Sequence, residues 1–233
     1  MSKFELTASN ALTRRATIID DSAEVEARLR GLHPDLVPLI LRDAITGGVR
    51  GRNETNRASA PTAAGVQQWL KTVQDLRTLM ARAHWHIHEQ QNCPFITSPD
   101  RSVSIVVMTG NGETGKNGVD DPTNQAEKGA VAEGFAQTNR QLELFNGGSF
   151  QFAKEHQSGT QVWALLYHYD KVLKEVRYEL SLPTGFGNKK ITNWGIRLLL
   201  GSVSNNPDNF TIREDKSNPQ ILVEVEPKLG TFE

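Results

Sequence analysis

The chain has 233 residues, 23% of them charged, a formal net charge of −1 and a single cysteine. A chain of this length buries roughly 70–75% of its unfolded surface, so its core needs neither disulfide nor metal. The balanced charge excludes a global basic field for nucleic acid and an acidic solvating tail, and Cys93 alone excludes a disulfide framework or an all-cysteine zinc site.

Residues 1–20 read as an arm, with a short strand at Ala16-Thr17-Ile18-Ile19. The opening MSKFELTASNALTRR lacks the apolar run of a secretory signal, and no apolar stretch approaches the roughly 20 residues that span a bilayer. With one cysteine, this sets the expectation of a cytoplasmic protein with no membrane partner. Asp21 or Ser22 caps a first helix that runs to about Leu32, with Val25, Leu29 and Leu32 at helical spacing. A second helix follows His33-Pro34, presents Leu36, Ile40, Leu41 and Ile45, and is expected to stop at Gly47-Gly48. The polar stretch 48–61 then reads as a mobile loop carrying Arg50, Arg52 and Arg57.

The longest apolar stripe comes next: Val66, Trp69, Leu70, Val73, Leu76, Met80, Ala83 and Ile87. It predicts one helix from Thr62 to Glu89, stopped before Pro94 and lying across one face of a sheet. A strand over 102–109, a Gly/Asn/Asp-rich loop over 110–129 and a helix from Ala130 to Phe145 complete the first part. Loops of that length inside a compact domain are more often functional than not.

Residues 161–182 carry the strongest strand signal. Val162, Ala164 and Leu166 alternate with Trp163, Leu165 and Tyr167, so this strand is apolar on both faces and central. After a two-residue reversal at Asp170-Lys171, Val176, Tyr178, Leu180 and Leu182 alternate with Arg177, Glu179 and Ser181, which are expected to face water. Pro183-Thr184-Gly185 turns the chain, and Ile191 to Leu200 forms a third strand with Trp194, Ile196, Leu198 and Leu200 inward. A final hairpin is expected over 210–213 and 221–225. The fold class is α+β, with N-terminal helices packed on a mainly antiparallel C-terminal sheet. Beyond the arm, 21–233 reads as a single domain, helical over 21–145 and antiparallel over 161–226, with the 102–109 strand joining the sheet.

Three motifs point to chemistry. Gly110 to Lys116, GNGETGK, fits the first seven positions of a phosphate-binding loop, but Asn117 holds the hydroxyl position and Gly118 to Pro122 prevent a helix from opening. His84 and His88, one helical turn apart beside Glu89, form a candidate divalent-metal site for a hydrolase or nuclease. Arg50, Arg52 and Arg57 with Lys189 and Lys190 offer phosphate contacts if folding gathers them, beside Tyr167, Phe186 and Trp194 for base stacking. Pro99-Asp100 with Glu226-Pro227-Lys228 is a distant match to a nuclease pattern, and no G-x-S-x-G elbow is present.

None of these closes into a catalytic set. The preferred expectation is a non-catalytic recognition or assembly subunit, without a cofactor, that contacts a protein partner or a second copy of itself. The contact runs through a sheet edge or the loops 48–61 and 110–129, with Asn111, Glu113, Lys116 and Asn117 as the contact residues. The metal-dependent hydrolase and the nucleic-acid-binding module are the alternatives.

Overall fold

The computed structural model describes residues 15–145 and 159–205. The hairpin expected over 210–213 and 221–225, and residues 1–14 of the arm, lie outside the described residues. Strands β1 (Thr17–Ile19), β2 (His86–Gln90), β3 (Cys93–Thr97), β4 (Val103–Thr109), β5 (Gln161–Asp170), β6 (Glu175–Gly187) and β7 (Lys190–Ser204) form one sheet in the order β1-β7-β6-β5-β4-β3-β2. Helices α1 (Ser22–Leu32), α2 (Pro38–Asn53) and α3 (Ala63–Ala81) pack on one face, and α4 (Ala130–Phe145) on the other.

The class is α+β, but the sheet is mixed rather than mainly antiparallel. β4 runs parallel to β5, and β1 parallel to β7. The reason for the first pairing lies between the strands. The segment containing α4 is long enough to carry the chain back to the starting end of the sheet, as a parallel pair requires. Helices are therefore not confined to the N-terminal part ahead of the strands.

Each face has its own core. Val103, Ile105, Trp163, Leu165, Tyr178, Leu180 and Leu198 join Leu29, Leu41, Ile45, Leu76 and Met80 on the α1–α3 side. Val106, Met108, Val162, Ala164, Leu166, Ile191 and Trp194 join Ala132, Phe135 and Ala136 on the α4 side. The two-sided apolar pattern of β5 is thus matched by burial on both faces. Asn139 pins α4 to the sheet: its amide donates to the carbonyls of Val162 and Pro183 and accepts from the Val162 N–H.

α2 does not stop at Gly47-Gly48 but continues to Asn53. The glycines serve the contact with α3. A β-carbon on Gly48 would stand 2.9 Å from the Gln68 carbonyl oxygen, and one on Gly51 2.9 Å from Lys71 Cβ. Two helices that approach this closely need bare backbone at the crossing. The expected 48–61 loop shortens accordingly, and Arg50 and Arg52 ride in the last turn of α2.

α3 ends at Ala81, eight residues short of the expected Glu89. The chain turns with His84 at φ 63°, buries Trp85 against His33 and Asp35, and enters β2. β2 and β3 are joined through Gln91 and Asn92, both at positive φ, as a two-residue hairpin of this hand demands. Four further expectations shift. The β5–β6 reversal is the four-residue Lys171–Lys174 turn, held by Asp170 accepting from the Val172 and Leu173 amides, not Asp170-Lys171. β6 continues through Pro183, which a central strand tolerates because the ladder slips there. Opposite the two-residue step from Ser181 to Pro183, β7 takes three from Trp194 to Arg197, a bulge that puts Trp194 and Ile196 on opposite faces. β7 runs past the expected end at Leu200, through Gly201 to Ser204.

Candidate functional site

Arg177, Glu179 and Ser181, expected in water, are all buried, Glu179 fully so. The 110–129 segment lies over them. Arg197 of β7, also fully buried, donates Nε to Glu179 Oε1 at 3.0 Å and Nη2 to Oε2 at 2.8 Å. Ser181 Oγ donates to Oε1 at 2.7 Å, and the Gly115 amide donates to Oε2 at 2.8 Å. Each carboxylate oxygen therefore accepts two hydrogen bonds, so the charge is met entirely by protein donors.

The two arginines hold the segment by its backbone. Arg177 Nε donates to the Thr114 carbonyl at 3.1 Å, Nη2 to that of Gly112 at 2.9 Å, and Nη1 to Asp170 Oδ2 at 2.9 Å. Arg197 Nη2 reaches the Lys116 carbonyl at 3.1 Å and Nη1 reaches Asp121 Oδ1 at 3.3 Å. Hydrogen bonds from the Leu173 amide first, then from Arg177, hold the Asp170 carboxyl down to about 2. Further along, Trp194 Nε1 donates to the Pro122 carbonyl and Lys190 Nζ to those of Asn124 and Gln125. The Asn124 side chain accepts from the Ile191 N–H and donates to the Lys189 carbonyl.

This geometry answers the glycine-rich motif. A phosphate loop offers its amides to a bound anion. Here Gly115, at φ 71°, turns its amide inward onto Glu179, and no helix follows Lys116. A β-carbon on Gly115 would stand 2.8 Å from Arg177 Cβ. The motif is a folded cover whose anion is internal.

The four expected contact residues divide. Asn111 faces inward, its side-chain oxygen accepting from the Glu113 and Thr123 amides, and Glu113 is half-buried beside Lys116 at 3.5 Å. Lys116 and Asn117 are exposed, Asn117 donating to Asp20 on the strand-to-helix turn. Arg15 donates to the Gly118 carbonyl from the same part of the chain. Between them Val119 is 88% exposed, next to an exposed Asp120.

The metal expectation rested on helical spacing that the fold does not have. His84 is in a turn, and His88 is in β2. The His88 ring stacks on Phe95 with Nε2 2.8 Å from Thr97 Oγ1, while Glu89 pairs with Arg77 at 2.7 Å. Among the described residues no three His, Cys, Asp or Glu side chains are grouped to hold a metal ion. The basic residues are not gathered either. Arg52 lies over the Tyr169 ring at one end of β5, and Arg50 and Arg57 are exposed nearby in sequence. Lys189 and Lys190 sit at the β6–β7 turn, the far end of β6 from the strand's pairing with Tyr169, with Lys189 bound to Glu127.

A concavity of about 410 Å³ opens between α4 and β3 and is lined by Gln90, Phe95, Val131, Phe135, Thr138 and Val162. Close to Phe95, burial pushes the Cys93 thiol up, and burial lowers the Lys128 ammonium. Neither shift activates Cys93, because the thiolate is the reactive form.

No protein-family model, no curated protein and no solved structure matches this chain. Among the described residues no helix is long and apolar enough to cross a membrane. The residues that organise the site, Arg177, Glu179, Arg197 and Asp121, were not singled out in the sequence. A signal was present: adjacent strands each carry an isolated charge of opposite sign between apolar neighbours, Glu179 in β6 and Arg197 in β7.

Proposed function

We propose that the protein is a recognition or assembly subunit that presents the tip of the 110–129 segment to a protein partner. The observation that supports this is the buried Glu179–Arg197 pair and its bonds to Gly115 and the Lys116 carbonyl. Burying two charges is expensive, and a well-packed apolar pair of similar volume is often as stable or more so. What the pair adds is direction: it fixes the backbone at Gly115 and Lys116 and holds the Asp121 side chain, at the two ends of the exposed stretch that carries Asn117, Val119 and Asp120. A loop already held in one conformation loses less entropy when a partner binds, which is how rigid recognition surfaces gain affinity. An exposed valine flanked by a lysine and an aspartate offers both an apolar contact and charges to orient it.

The test leaves the internal network in place and alters only the tip. Lys116→Glu combined with Val119→Asp keeps the backbone carbonyls that Arg197 reaches. In tagged protein recovered from its native cells, the wild type carries a stoichiometric partner or a defined oligomer, and the double variant loses it while keeping its melting temperature. An identical complex in both proteins, or a monomer without a partner in both, overturns the reading.

A further inference from the structure

The sheet ends in two edges, and they are not alike. β1 offers only the three residues Thr17–Ile19. β2, at the other end, offers His86–Gln90, and every one of them is exposed. The hairpin decides which backbone groups of β2 are free. Across its two-residue turn the closing pair, Gln90 and Cys93, exchanges both hydrogen bonds, and bonded pairs recur at every second residue: His88 with Phe95, His86 with Thr97. The far side of β3 keeps the same alternation. There the Ser98 N–H donates to the Val103 carbonyl, so Ile96 turns its groups to β4 and not to Ile87. Ile87 and Glu89 therefore aim their N–H and C=O groups away from the sheet, and among the described residues no strand meets them.

Natural proteins guard such an edge with lysine, proline or a bulge. β2 has none of these, and it carries Ile87 at 51% exposure. Its one carboxylate is already matched, since Glu89 pairs with Arg77 at 2.7 Å. A copy of the chain brought to this edge therefore meets no unpaired charge on it, and the net charge of −1 adds little repulsion. Apolar surface borders the edge on the α3 side. Val66 and Leu70, each about half exposed, share by helical spacing the stripe of α3 from which Arg77 reaches the His88 carbonyl.

We propose that β2 joins two copies of this chain edge to edge, antiparallel about a two-fold axis at His88, into one continuous sheet. In that register Ile87 of each copy stands opposite Glu89 of the other. Both pairs exchange their N–H and C=O bonds, so every outward group of both strands is satisfied. The neighbouring registers do worse. An axis at Ile87 sets Glu89 opposite Trp85, whose N–H already donates to the Met80 carbonyl. An axis at Glu89 sets two carboxylates face to face. The strand is thus complementary to itself in main chain and in charge, and the pairing leaves neither copy with an open β2 edge. This edge is separate from the 110–129 tip and does not rest on the function proposed for it.

The experiment uses the full chain in sedimentation velocity, from micromolar to near-millimolar concentration. The wild type sediments as a dimer that dilution dissociates. Ile87→Pro removes an N–H that points away from β3, so the hairpin stays paired while dimer affinity falls about tenfold or more. Ile87→Thr keeps the backbone groups and keeps the dimer, and melting curves of the diluted proteins show that both variants fold. Cross-linking reads the register. In Cys93→Ser protein, His88→Cys sets two thiols across a non-hydrogen-bonded pair with Cα atoms about 4.5 Å apart, within disulfide reach, and mild oxidation links the copies. Gln90→Cys, on the same face but opposite His86, does not link them. The Lys116→Glu, Val119→Asp protein dimerises like the wild type, so failure of this edge and failure of the tip are told apart. A wild type that stays monomeric, a dimer indifferent to Ile87→Pro, an equal loss in Ile87→Thr, or equal linking through residues 88 and 90 overturns the proposal.

Discussion

The two sides of β6 are held by different physics. Val176, Tyr178, Leu180 and Leu182 face α1–α3 and are buried by contacts that depend on area and shape but not on direction. Arg177, Glu179 and Ser181, one residue out of phase, face the 110–129 segment and are held by hydrogen bonds with fixed partners. An apolar face accepts any cover of suitable volume. A face carrying a buried carboxylate accepts only one that brings its own donors in register, and this gives the segment a single conformation.

Substitutions on either side sharpen that contrast. The largest effect belongs to Glu179→Ala, which takes from the buried Arg197 its bidentate carboxylate and leaves it only Asp121 and backbone carbonyls: a loss of about 3–5 kcal/mol in urea unfolding. The paired replacement Glu179→Leu with Arg197→Met recovers most of that loss, yet the 110–129 segment becomes open to limited proteolysis at Lys116. If the paired variant resists protease like the wild type, the ion pair is not what shapes the loop. Leu180→Ala, on the opposite side of the same strand, costs about 2–5 kcal/mol through the cavity it leaves, without new cleavage at Lys116 under native conditions. Gly115→Ala meets both a positive φ and the nearby Arg177 Cβ, and loses about 1–3 kcal/mol together with the protease resistance.

The smallest effect is one that acid removes. Asp170 is held at about 2 in the folded chain against 3.8 for the free side chain. A depressed carboxyl contributes stability that is fully present above the unfolded value and is lost as pH falls through the folded one. The wild type therefore outlasts Asp170→Asn in denaturant near neutral pH, and the gap closes between about pH 4 and pH 2. A gap that stays constant across that range would mean that the carboxylate contributes nothing beyond its hydrogen-bonding shape.

What the sequence made legible follows the same division. Apolar periodicity located α4 at Ala130–Phe145, and it placed β5 at the centre with both faces covered. It could not read the polar side of β6, because alternation looks the same whether the polar residues meet water or a cover that satisfies them. The glycines of α2 misled for a related reason: Gly47-Gly48 serves close helix approach as well as helix ending, and only the partner helix tells which. The end of α3 carries neither glycine nor proline, and Ala83 and Ile87 prolong its stripe by chance of spacing, which carried the histidine pair onto a helix that had already ended. The parallel pairing of β4 and β5 was readable in principle from strand, helix and strand in succession.

The shortest strand sets a condition on how the chain is made. Thr17, Ile18 and Ile19 pair in parallel with Ile196, Arg197 and Leu198, so β1 finds its neighbour only after nearly all the described chain has been synthesised. Contacts this distant along the polypeptide slow folding, and they leave the β1–β7 pairing unmade on the ribosome until β7 emerges. A nascent chain stalled before residue 190 would lack both β7 and the arginine that closes over Glu179.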